Sequence, residues 1–218
     1  MTQHVFVETN FVVDWAAPAH HRAAAAVALV ERAERGELVL HLPAVCLLEA
    51  RSVLRGGRFQ PRDDADPIRA FIGLGSTSPE EKRVVLQSLD RYEAYIKREL
   101  TDAPARVESL RQRSGIDVFA ADDLVLVRSI ELTGEVEGTK PFDLAVLAAV
   151  LVRAERIRAG DPSAQISFCE LDADLQPWDR KGASRAWLQA LYDASHVWVY
   201  ADFTMVGPPR PPSWPTVL

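Results

Sequence analysis

The chain predicts an α/β fold: a central five-stranded parallel sheet with helices on both faces, a three-layer sandwich carrying a helical insertion. Two observations predict it. Short runs rich in apolar and β-branched residues (Val5–Val7, Leu38–Leu42, Ile116–Phe119, Gln165–Cys169, His196–Tyr200) alternate with helix-length segments, and strands alternating with helices pair in parallel. These runs are also near-continuously apolar rather than alternating, the pattern of strands buried on both faces. A single domain over residues 1–206 is expected, with the insertion at about 57–114 and a proline-dense tail at 207–218.

In chain order, Val5-Phe6-Val7 runs into Glu8-Thr9-Asn10, so the acid emerges at the carboxyl edge of the sheet, where open α/β folds bind ligands. His21–Arg35 is alanine-rich and reads as a helix stopped by Gly36. Leu38–Leu42 is the second strand, and Pro43 suits the first position of a helix running to about Arg55. Inside the insertion, Ser78-Pro79-Glu80-Glu81 forms a capping box. Val85, Leu89, Tyr92, Ile96 and Leu100 follow at helical spacing. Asp102 and Pro104 are expected to end that helix, with a further one carrying Val107 and Leu110. After the third strand a helix spans about Ala121–Leu132, and Thr139 caps another from Phe142 to Ala159 that is apolar nearly all round. The fourth strand, a helix over Ser184–Ala194 and the fifth strand complete the body.

Composition narrows the function. The 25 Lys plus Arg against 31 Asp plus Glu give a net charge of -6, which excludes a globally basic nucleic-acid binder. Cys46 and Cys169 sit in apolar runs, as free thiols of a reducing compartment do. The five histidines are scattered, His20-His21 has no metal-site spacing, and all are expected on the surface. The longest apolar run, Leu144–Val152, falls far short of the ~20 residues that span a bilayer. With no basic-then-apolar leader at the N-terminus, a cytoplasmic protein with no membrane partner is expected.

The chemistry lies in the carboxylates. Glu49 shares a helix face with Cys46 and Val53, where an acid is costly without a partner; Arg51 and Arg55 lie on other faces. Asp143 opens the most apolar helix, on the face of Val146, Leu147 and Val150, although acids also favour first turns for the helix dipole. Asp172 and Asp174 follow the fourth strand as Glu8 follows the first; singly, each reads equally as a loop solubiliser. Four acids converging on one sheet edge need protonation or a cation. Oxygen ligands select Mg²⁺ or Mn²⁺, and such an ion acidifies water and neutralises phosphoryl charge, which points to a phosphodiester substrate.

In this order the motifs resemble the PIN domain, a family of metal-dependent nucleases that includes the VapC-type toxins. The likeness rests on Glu8-Thr9-Asn10 where the family has Asp-Thr-Asn, and on Glu49 in the helix after the second strand. It continues with Asp143 in Pro141-Phe142-Asp143-Leu144-Ala145 and with Asp172-Ala173-Asp174-Leu175 after the next strand. Glu8 replaces aspartate, Leu175 replaces a common aromatic, and Glu170 stands where a hydroxyl residue is frequent. The resemblance implies a PIN-like sandwich and an endoribonuclease that hydrolyses RNA with Mg²⁺ or Mn²⁺ held by Glu8, Glu49, Asp143 and Asp172. Asp174 would reach the metal through water or cap a turn, and Thr9 and Asn10 would orient Glu8. An antitoxin protein and a homodimer are the protein partners it implies. The alternative is a catalytically weak PIN-like module that binds RNA or protein.

Charge is uneven along the chain. Residues 51–114 hold 13 basic and 10 acidic residues, and the remainder holds 12 and 21. The insertion therefore offers phosphate contacts, with Arg83, Arg91, Lys97 and Arg98 as candidates. A solvated helix surface of mixed charge accounts equally well for any one of them.

Overall fold

The first strand, β1 (Gln3–Val7), is the centre of a five-stranded sheet. A computed structural model describes residues 2–75, 78–135, 139–179 and 181–206; the proline-dense tail expected at 207–218 lies outside the described residues. With β2 (Val39–Pro43), β3 (Ile116–Phe119), β4 (Gln165–Cys169) and β5 (Val197–Tyr200), the strand order is β3-β2-β1-β4-β5, every pair parallel. The expected fold class is the one observed. Val5, Phe6 and Val7 are wholly buried, as befits a strand covered on both faces.

The helices that follow β1 and β2 form one layer. They are α1 (Thr9–Ala16), α2 (Ala24–Glu34), α3 (Ala44–Arg55), α4 (Pro61–Leu74) and α5 (Pro79–Ser109). The other layer holds α6 (Asp123–Glu135), α7 (Pro141–Gly160) and α8 (Ala186–Ala194). Right-handed crossovers demand this division, because the chain moves outward from β1 to β3 and then returns to β4 on the far side of β1. The direction reverses between β1 and β4. There the carboxyl ends of two strands splay into a crevice, the usual ligand site of such sheets.

Several local expectations are corrected. Helix α1 was not anticipated: Phe11, Val12, Val13 and Trp15 are all buried, and so short an apolar run cannot be told from a strand by periodicity. Helix α2 starts at Ala24 rather than His21, and Pro43 ends β2 instead of opening α3. Helix α4 was likewise unforeseen, with Pro61 at its start and Asp63 and Asp64 in its first turn. The capping box holds, with Ser78 and Glu81 bonding reciprocally, but α5 then runs 31 residues straight through Asp102 and Pro104. Buried Ala103, Val107 and Leu110 keep the chain helical there against the proline penalty of ~3 kcal/mol. Arg106 also donates to the carbonyl of Glu99 and to Ala16 O at the end of α1, at 2.8 and 2.9 Å. Lys140, not Thr139, precedes α7 as its cap residue.

His41 is buried, against the expectation of a surface residue. Neighbouring strands make this affordable. Asp117 on β3 accepts from His41 Nδ1 at 2.8 Å, which leaves His41 Nε2 to accept from His4 Nδ1 at 2.8 Å. Arg153 of α7 closes the chain on Asp117 at 2.5 Å. His41 and Arg153 hold the Asp117 carboxyl down at about 2. Cys46 and Cys169 are free and buried, as expected, and burial pushes both thiols up.

Candidate functional site

The crevice between β1 and β4 opens into a cleft of about 150 Å³, roomy enough for several waters or a hydrated ion. Glu8, Glu49, Asp143, Glu170 and Asp172 line it, with Thr9, Asn10, Lys140, Phe142 and Leu175. Four acids from four separate elements therefore meet where the strand order reverses, together with Glu170.

Each is positioned by local geometry. Glu8 is the first residue after β1 and the cap residue of α1; its Oε2 accepts from the backbone N–H of Asn10 at 2.7 Å. Because β1 pairs Val7 with Cys169, the next residues, Glu8 and Glu170, leave adjacent strands side by side. Glu170 Oε1 accepts from Asp172 N at 2.6 Å, and Asp172 Oδ1 accepts from Asp174 N at 2.9 Å. These two bonds fold the loop so that Asp172 faces the cleft. One carboxylate oxygen each from Asp143, Asp172 and Asp174 lies within 4.8 Å of the others. Glu49 reaches in from α3, where Thr9 donates its hydroxyl to Glu49 Oε2. Thr9 was expected to orient Glu8; the hydroxyl serves Glu49 instead. Arg51 gives no competing salt bridge, since it pairs with Glu108 at 2.6 Å.

Electrostatics follow from burial and crowding. Burial raises the Glu8 carboxyl to about 8, opposed by the Asn10 hydrogen bonds and reinforced by Asp172 and Glu49. Burial, then the neighbouring Glu8 charge, raises Glu170 well above the usual carboxylate range. Asp143 is raised as well, chiefly by burial, with Lys140 working against the shift. Glu8 Oε1, Asp143 Oδ2 and Glu170 Oε2 are buried without a hydrogen-bond partner. Oxygens in that state are costly. An all-oxygen donor set with three orphaned buried atoms fits Mg²⁺ or Mn²⁺, and the half-open geometry leaves room for water on the ion.

Lys140 and Arg58 went unnoticed in the sequence, and Glu170 was noted only as a departure from the family's usual hydroxyl residue, with no role given to it. Glu170 had a signal, since it occupies after β4 the position that Glu8 occupies after β1. Lys140 borders the cleft as the residue before α7. Arg58 had none: it reaches Asn10 Oδ1 at 3.1 Å from the turn after α3, a contact only the fold creates. Arg83, Arg91, Lys97 and Arg98 are all exposed on α5 and do not line the cleft. Arg83 is engaged with Glu80 one turn earlier.

Among the described residues, no helix is long and apolar enough to cross a membrane. No family model, curated protein or solved structure matches this chain, so its likeness to any family rests on the residues themselves.

Proposed function

We propose that this chain is a metal-dependent, PIN-like endoribonuclease. The observation that supports it best is the trio of buried, unpartnered carboxylate oxygens on Glu8, Asp143 and Glu170 at the switch point of the sheet. Glu8, Glu49, Asp143 and Asp172 would hold Mg²⁺ or Mn²⁺, with Asp174 beside them. The ion would supply an acidified water and offset charge on a phosphoryl oxygen. Thr9 fixes Glu49 by donating to Oε2. Asn10 N–H holds Glu8 Oε2, leaving Oε1 for the cleft. Phe142, Val53, Val146 and Leu175 give the cleft an apolar side, which strengthens the charge interactions beside it. Lys140 is a cation at the rim and would receive a phosphate there.

A second reading, a weakly catalytic RNA-binding module, draws on Glu8, whose burial favours the uncharged acid. One experiment separates the two. Single-stranded RNA is incubated with the purified chain and Mn²⁺, beside Asp143→Asn and beside chelator. Cleavage that both remove supports the enzyme. RNA binding with no metal-dependent cleavage supports the module.

A further inference from the structure

Outside the cleft, one cluster combines nitrogen and oxygen donors. His20 and His21 lie on the turn between α1 and α2, shaped by the hydrogen bond from His21 N to Pro18 O at 2.8 Å. Asp64 comes from the first turn of α4 and Tyr92 from α5, so three distant segments meet. Asp64 Oδ2 lies 3.7 Å from His20 Nε2 and 3.3 Å from His21 Nε2. One donor atom from each of the three residues falls within 4.8 Å of the other two. Two donors on a tetrahedral ion with bonds of ~2.0–2.1 Å stand about 3.3 Å apart. The observed spacings are near that value; the same nitrogens are hydrogen-bonded here, His21 Nε2 with Asp64 Oδ2 at 3.3 Å and His20 Nε2 with the Tyr92 hydroxyl at 2.8 Å, contacts that an ion would replace.

The donors are also held in place. The two imidazoles pack with centroids 4.0 Å apart. His20 meets the Tyr92 ring edge-on at 5.4 Å, and His21 lies against Phe59 at 5.2 Å. Tyr92 donates its hydroxyl to Asp64 Oδ2 at 2.5 Å, and an anchored carboxylate of this kind is a feature of metal sites. Solvent reaches all three donor residues, which leaves positions for water on an ion.

We propose that His20, His21 and Asp64 bind a borderline divalent transition-metal ion of the Zn²⁺ type, distinct in class from the ion of the acidic cleft. Two imidazoles with one carboxylate favour Zn²⁺, Co²⁺ or Ni²⁺ over Mg²⁺, which selects oxygen. Because the donors come from the body and from the insertion, the ion clips one to the other. The clip closes beside the groove between α4 and α5 that Ile68, Val85, Leu89 and Tyr92 line.

The test is Zn²⁺ titration of the full chain by calorimetry in excess Mg²⁺, with Co²⁺ absorption as the spectroscopic check. One Zn²⁺ per chain is expected. His20→Ala and His21→Ala should each weaken it by about 10-fold or more and abolish the ligand-field bands of bound Co²⁺. Asp143→Asn should leave both unchanged, so a failure of the nuclease reading does not touch this site. Zn²⁺ should also raise the Tm of the wild type and not of the His20→Ala/His21→Ala double variant. Unchanged Zn²⁺ affinity in that folded double variant, or no Zn²⁺ uptake by the wild type, would overturn the proposal and leave a hydrogen-bonded surface cluster.

Discussion

Glu8 and Glu170 leave neighbouring strands at equivalent positions, yet only Glu8 carries a role read from the sequence. The acids Glu8, Glu49, Asp143 and Asp172 were legible because each interrupts an apolar pattern: a strand end, a helix stripe, a first turn, a strand end again. Glu170 was read only as a departure from the family pattern, because Asp172 and Asp174 beside it already supplied the acids that the pattern needs. Thr9 carries the sharpest single-residue prediction. Thr9→Val removes the hydroxyl that holds Glu49 and should lower metal-supported RNA cleavage about 10- to 100-fold, whereas Thr9→Ser should retain it. Equal loss in both variants would mean that the side chain acts through packing alone. Asp117 offers a pH prediction away from the cleft. Its folded carboxyl is held at about 2 against an ordinary 3.8, so its contribution to stability is complete above about pH 4. That contribution fades as pH falls toward 2. Since Asp117 is partly exposed, about 1 kcal/mol is expected after screening. Denaturant melts should therefore show Asp117→Asn less stable by that amount at pH 7, with the difference closing as pH falls through about 2.

At the scale of elements, α5 departs furthest from expectation. Local propensity says that Pro104 ends a helix, but Ala103 and Val107 on its buried face belong to the main core and outweigh that preference. Arg106 ties the helix just beyond Pro104 to the body through Ala16 O, with a cation against the carboxyl end of α1. Arg106→Met should destabilise the whole domain by about 2 kcal/mol, the usual cost of losing hydrogen bonds to a charged group. A single cooperative melt with a lower midpoint is expected. Separate melting of the insertion at an unchanged main midpoint would show that α5 is not built into the core. Helices α1 and α4 were missed for different reasons. The first is too short to show a period, and the second carries its acids and prolines on a mostly solvated surface. The strands were read to within a residue or two, because near-continuous apolar runs bounded by polar residues leave few alternatives in an α/β chain.

For the molecule as a whole, the proposed function would divide labour between an acidic body and a more basic insertion. A body with 14 basic and 21 acidic residues outside 57–114 would repel RNA except where its acids are neutralised by an ion. Phosphate contacts beyond the cleft must then come from elsewhere, and α5 presents Arg91, Lys97 and Arg98 to solvent. Replacing all three with glutamine should weaken single-stranded RNA binding and flatten the slope of log K against log salt by about 2. An unchanged slope would assign the contacts to Lys140 and Arg58 instead. Which surface an RNA would follow was beyond the sequence, since exposed cations on a helix carry no mark of what they touch. The central proposition is simpler: carboxylates far apart in the chain hold one hard cation. Mn²⁺ binding followed by electron paramagnetic resonance, with Zn²⁺ saturating any histidine site, tests it most directly. A tight Mn²⁺ ion present in the wild type and lost in Glu49→Gln and in Asp143→Asn is the predicted result. Equal Mn²⁺ uptake by all three proteins would contradict it.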